Sequence, residues 1–214
     1  MTDIGMWTTD QLKVYEALLS FLEDAYGRRG QYEAGDPAQE GAMDVLTLNL
    51  VKVVNDCRAI LLLVRFGFHI QAGIIARSTD DACNFMMHIV FGGDRAELVH
   101  KWLLGKRVTH WTMVKKLNEQ LPSEAQLDLA TYGAVRKRLD DFVHASYDAL
   151  KLYPAQAPGS TRLDSRSFRE MTFWSDLVYL YLFSCLLAVD LIVPDVEETA
   201  KSYLGQLEQL HANA

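Results

Sequence analysis

The sequence predicts an all-α protein, a bundle of about five long helices with shorter helices flanking them. Three observations carry this. Apolar residues recur at spacings of three and four through most of the 214 residues. No segment alternates apolar and polar residues as a half-buried strand does. Glycine and proline gather in short clusters between long periodic runs, where they punctuate helices. We expect one domain over 1–214: an N-terminal helix and loop (1–38), a bundle core (39–193) and a C-terminal helix (194–214).

Taken in order, the first helix starts at the cap signal Thr8-Thr9-Asp10 and runs to about Tyr26. The Gly-rich stretch "GRRGQYEAGDPAQEG" then reads as a loop. From about Gln39 to Arg65, Leu46, Leu50, Val53, Cys57, Ile60 and Val64 form one apolar seam, with Asn49, Lys52 and Asp56 opposite. Gly67 permits a turn, and the third helix extends to about Phe91. Gly92-Gly93 ends it, and Asp94 stands where it can cap the next helix. That fourth segment, to about Asn118, carries Gly105 in its middle and is expected to bend there. Pro122-Ser123-Glu124 opens a fifth helix reaching about Leu152, with Ser123 as its cap. "YPAQAPGSTRLDSRS" is the longest irregular stretch. A sixth helix, from about Phe168 to Ile192, is apolar nearly all round and belongs at a bundle centre or half within an oligomer interface. Val193-Pro194-Asp195 breaks it before a short closing helix.

Composition narrows the function. The formal charge is −7 and the pI near 5.3. That balance argues against general binding of nucleic acid or anionic membrane, although Arg136-Lys137-Arg138 could form a local basic patch. The three cysteines, Cys57, Cys83 and Cys185, lie far apart in apolar surroundings and form no CxxC pair. They read as buried free thiols in a reducing compartment. The N-terminus has no signal-peptide pattern. The apolar run Leu177 to Val189 is about 13 residues, short of the roughly 20 of a spanning helix. We therefore expect a cytoplasmic protein that does not enter a membrane.

One stretch stands out: "ARSTDDACNFMMHIV", residues 76 to 90. At helical spacing Arg77, Asp81, Asn84 and His88 fall into one narrow stripe, while Ile74, Ile75, Ala82, Phe85, Met86 and Ile89 cover much of the remaining circumference. Such a stripe either lines a cleft, where it would orient a small ligand or a protein partner, or ties helices together. On a solvated face, Arg77 and Asp81 would form an ordinary i, i+4 pair. The six histidines include no HxxxH or HExxH pair, so the spacing calls for no metal and no cofactor. Serine-nucleophile and glycine-rich phosphate-binding motifs are absent. Trp102, Trp111, Trp174, Tyr179 and Tyr181 read as core or interface packing.

A last segment is "RKRLDDFVHAS", residues 136 to 146. Arg77-Ser78, the acid Asp81 four residues after the arginine, and Val143-His144-Ala145-Ser146 together resemble bacterial all-helical families of unknown function similar to the HEPN superfamily, over about residues 40 to 190. The resemblance implies a homodimer and, for many members, a metal-independent ribonuclease of toxin or phage-defence type with an Arg-x4-6-His motif. Transferred here, His144 would act as general acid/base and Arg138 would stabilise charge on the phosphate. His144 has an alternative role as partner to Asp140, Asp141 or Asp148. Two readings follow: a helical module binding a ligand or partner at Arg77, Asp81, Asn84 and His88, and an RNA-cleaving enzyme using Arg138 and His144.

Overall fold

The computed structural model describes residues 9–29, 37–66, 68–106, 109–120, 126, 128–144, 165–193 and 195–212. All regular structure among them is α-helical: α1 (Thr9–Arg29), α2 (Pro37–Arg65), α3 (His69–Phe91), α4 (Arg95–Leu103), α5 (His110–Gln120), α6 (Leu129–Val143), α7 (Ser165–Ile192) and α8 (Glu197–Ala212). The all-α expectation therefore holds. The Ser123 cap and the irregular stretch before α7 lie outside the described residues.

The core forms where the apolar periodicity places it. The α2 seam is buried throughout, with Leu46, Leu50, Val53, Cys57 and Ile60 fully so. It packs against α3, α7 and α1. The segment Phe173–Ile192 of α7 has a mean hydropathy of 1.8 and is, by length and composition, the one candidate span among the described residues; half of it is buried. It contacts α1, α2, α3 and α8, so it serves as the central helix of the bundle. Trp174 is fully buried beside Phe142, with ring centroids 5.8 Å apart. Tyr181 donates its hydroxyl to the Ala76 carbonyl at 2.9 Å, pinning α7 to α3.

α3 is shared between two packing systems. One side meets α2 and α7; the other meets α6 and α5. Gly73 permits the close approach of α6, because a Cβ there would sit 2.7 Å from that of Phe142.

Two local expectations change. The fourth segment does not bend at Gly105 but divides into α4 and α5. Gly105 adopts φ 66°, its N–H donates to the Trp102 carbonyl at 2.9 Å, and Lys106 N–H donates to Lys101 at 2.9 Å. That left-handed glycine with its paired bonds is a Schellman stop, which ends α4 outright. Asp94 occupies the N-cap position of α4 but its side chain makes no cap bond. Its carboxylate is engaged elsewhere, by His88 and Lys116. The cap that forms belongs to α6, where Asp128 accepts from Ala130 N–H at 3.0 Å.

Candidate functional site

α3 carries consecutive acids, Asp80 and Asp81, that helical geometry turns about 100° apart. Asp80 faces inward between α3 and α6 and is buried; Asp81 reaches the edge of a cleft and is half-exposed. From α6, Arg136 extends across both. Its Nη1 donates to Asp80 Oδ2 at 2.5 Å, and its Nη2 lies 2.9 Å from Asp81 Oδ1. A buried guanidinium needs such a set of acceptors, since an unpaired charge there is costly.

Tyr132, one helical turn before Arg136, completes the arrangement. Its hydroxyl donates to Asp80 Oδ2 at 2.9 Å and accepts from Asn84 Nδ2 at 2.9 Å. It also lies 2.5 Å from Nε2 of His110, the first residue of α5. The hydroxyl has one proton and Asp80 receives it, so His110 Nε2 donates to Tyr132. His110 Nδ1 lies 3.3 Å from Arg136 Nη1. Asp81 Oδ1 is only 2.8 Å from that Nδ1, yet it accepts no well-aligned hydrogen bond. Both imidazole nitrogens are therefore engaged by the protein.

Electrostatics follow from this packing. Burial pushes the Asp80 carboxyl up to about 6, against the lowering influence of His110 and the Tyr132 hydrogen bond. Burial would also raise Asp81, but the neighbouring His110 and the hydrogen bond from Arg77 hold it below the usual carboxylate range. Burial, then the neighbouring Asp80, raises the Tyr132 hydroxyl far above its ordinary value.

The Asp80, Asp81 and His110 donor atoms lie within 4.8 Å of one another, close enough to hold a cation. Arg136 already supplies one, hydrogen-bonded to Asp80 and ion-paired with Asp81. A second cation there would meet the guanidinium at contact distance, so these residues do not fit a metal centre.

Beside this cluster opens a cleft of about 560 Å³. Lys52, Arg77, Lys106, His110 and Arg136 line it, together with Phe85, Trp102 and Met113. Arg77 is fixed by hydrogen bonds to Asp140 on α6, through Nε, and to Asp81, at 2.6 Å through Nη1. Trp102 packs against Phe85 with its ring tilted by 37° and the centroids 5.8 Å apart, and remains 41% exposed. The Schellman turn after it presents Lys106 at the rim.

The four stripe residues thus divide. Arg77 and Asp81 line the cleft; Asn84 and His88 do not. Asn84 is buried in the Tyr132–Asp80 network, and His88 is buried with Nε2 2.5 Å from Asp94 Oδ1. Asp94 in turn accepts from Lys116 at 2.8 Å, and these bonds hold its carboxyl down to about 2. Mostly, then, the stripe ties α3 to α4, α5 and α6. The Arg138 guanidinium lies over the Phe173 ring, 4.2 Å from its centroid, and His144 sits exposed at the C-cap of α6. Neither lines the cleft. Sequence reading did not assemble Asp80, His110, Tyr132 and Arg136, which come from three helices. One hint was available: Asp80 has Ala76 four residues before it and Cys83 three after, both buried, which places an acid on an apolar face.

Comparison with protein-family models, curated proteins and solved structures finds no match for this chain.

Proposed function

We propose that this protein is a non-enzymatic helical module that binds a small ligand in the cleft beside α3. The carrying observation is the arrangement of the cleft groups. Side chains from α2, α3, α5 and α6 converge on it, and hydrogen bonds to Asp140, Asp81 and Asp80 fix the directions of Arg77 and Arg136 among them. Catalysis has less support, because a general acid or base needs an atom free to face the substrate. Both nitrogens of His110 are occupied, and nothing in the placement of Arg138 and His144 adds to the ribonuclease reading. We include in the proposal a cytoplasmic setting, in keeping with three buried free thiols, and a homodimer, in keeping with Leu180 and Leu191 exposed on α7.

The test is an NMR titration of the full chain with a fragment library of cationic, neutral and anionic members. The Trp102 indole N–H and the Gly105 amide serve as reporters. Fragments of some class should shift both resonances. If every hit maps elsewhere, or none is found, the cleft is not a ligand site. Light scattering tests the dimer: a mass near 24.2 kDa, the monomer value, removes it.

A further inference from the structure

Resting on that ligand-binding reading, we propose that the cleft takes an aromatic anion, a planar ring bearing a phosphate or carboxylate. The argument begins with charge placement in an acidic protein. Lys52, Arg77, Lys106 and Arg136 all line the cleft. Their counter-charges are Asp56, Asp80, Asp81 and Asp140, and of these only Asp81 lines it. Four cationic side chains thus line the cleft against one carboxylate, a local excess of positive groups in a chain that carries a net −7.

Donor capacity agrees with the charge. A guanidinium has five N–H groups. Arg77 uses Nε for Asp140 and Nη1 for Asp81, and among the described residues Nη2 makes no hydrogen bond. Two N–H groups at a cleft-lining position are therefore held in a fixed direction and left for an acceptor. Lys106 has no ion-pair partner among the described residues, and it projects from a turn whose backbone is locked by the left-handed Gly105. Charge-assisted bonds to phosphate or carboxylate are what such groups make best.

The ring preference comes from the apolar residues of the lining. Trp102 is a large aromatic side chain left substantially exposed, backed by Phe85, with Met113 beside them. A rigid aromatic face next to polar anchors is the usual construction of a site for a flat, partly apolar guest. About 560 Å³ leaves room for a guest with one or two rings.

The experiment is isothermal titration of the full chain with 2-naphthyl phosphate, 2-naphthoate, neutral 2-naphthol and inorganic phosphate. Naphthyl phosphate or naphthoate should bind at least about tenfold more tightly than naphthol, as expected when charge-assisted hydrogen bonds are added. Inorganic phosphate should bind at least about tenfold more weakly than either, lacking the ring. Which of the two anions binds better separates a phosphate source from a carboxylate source. Lys106→Ala should weaken the anion about three- to tenfold and leave naphthol unchanged, an effect that fades in high salt. Trp102→Ala should weaken all naphthyl compounds about fivefold or more. Both residues are at the surface, so the variants keep the fold.

Naphthol binding as tightly as the anions, with Trp102 still required, would overturn the anionic class and leave the cleft reading standing. Phosphate alone binding as tightly would overturn the ring. Absence of binding by every naphthyl compound overturns the proposal, while the fragment titration judges the cleft separately. Binding insensitive to Trp102→Ala overturns it as well.

Discussion

The two sides of α3 are built from different chemistry. Toward α2 and α7 the helix is mainly apolar: Ala76 and Cys83 are buried, and Cys83 lies close to Cys57 of α2 and Cys185 of α7. The polar contacts there are single bonds, such as Thr79 to Asp56 and Tyr181 to the Ala76 carbonyl. Toward α5 and α6 it is polar, with Asp80, Asn84, Tyr132, His110 and Arg136 bonded to one another. Apolar contact is non-directional and specifies shape and volume. A bonded cluster has one register in which all its members are satisfied, so it specifies position. The cleft lies along the polar side, where fixed orientation is useful for holding a guest.

The sharpest way to break the comparison is to remove the centre of the polar side. Arg136→Ala leaves Asp80 buried without its cation, and should cost about 3–5 kcal/mol in urea denaturation at pH 8. At pH 5 the loss should be smaller, because Asp80, already pushed up to about 6, can take a proton instead. A loss independent of pH would mean the guanidinium acts by packing alone.

The matching cut on the apolar side is Leu50→Ala in the fully buried α2 seam. It should cost about 2–4 kcal/mol, from transfer of the side chain plus the cavity left behind. Here the loss should be the same at pH 5 and pH 8. A pH-dependent loss would show that the two sides are coupled.

Asp80 also gives the polar side a signature of its own. Its folded-state value lies above the ordinary 3.8, so between about pH 4 and 6 the folded chain holds a proton that the unfolded chain has released. Folding takes up that proton, and stability from this group is full at low pH and lost as pH rises to about 6. Asp80→Asn cannot titrate. The stability of wild type relative to this variant should therefore fall by on the order of 1–3 kcal/mol between pH 4 and 7. A flat difference would mean that Arg136 holds Asp80 ionised throughout. Asp94 works in the other direction and in another window: held down to about 2, it contributes stability that is lost as pH falls below about 4.

The same division explains what the sequence could be made to say. The apolar side was legible because periodicity encodes it: all six seam positions of α2 are buried. The helix end at Gly92 was legible, whereas the left-handed stop at Gly105 reads from sequence as a bend within one helix. The polar side was legible only within one helix. Arg77 and Asp81 meet four residues apart, but their partner Asp140 lies 63 residues from Arg77 in the chain. Arg136, Lys137 and Arg138 looked like one basic patch; on a helix they point three ways, to Asp80, to Asp141 and over Phe173. Asn49 and Lys52, read as the face opposite the seam, line the cleft, and Asp56 accepts from Thr79 of α3 at 2.8 Å. A single chain gives no information about such tertiary pairing.

The smallest expected effect tests whether burial, rather than ion pairing itself, gives the polar side its weight. Arg58 of α2 donates to Glu23 of α1 at 2.6 Å, a cross-helix pair with good geometry, like Arg136 with Asp80. Its two side chains are 44% and 36% exposed, against 10% and 8% for the α6–α3 pair. Water solvates both partners when the outer pair is broken, so Glu23→Gln should cost only about 0.2–1 kcal/mol, and less in high salt. The inner pair has no such alternative solvent, so its loss should be several-fold larger and only weakly dependent on salt. Urea melts of Glu23→Gln and Arg136→Ala at low and high salt measure both quantities. Equal losses would assign the stability to pairing as such; unequal losses with unequal salt dependence assign it to the dry setting that α3 and α6 create around Asp80.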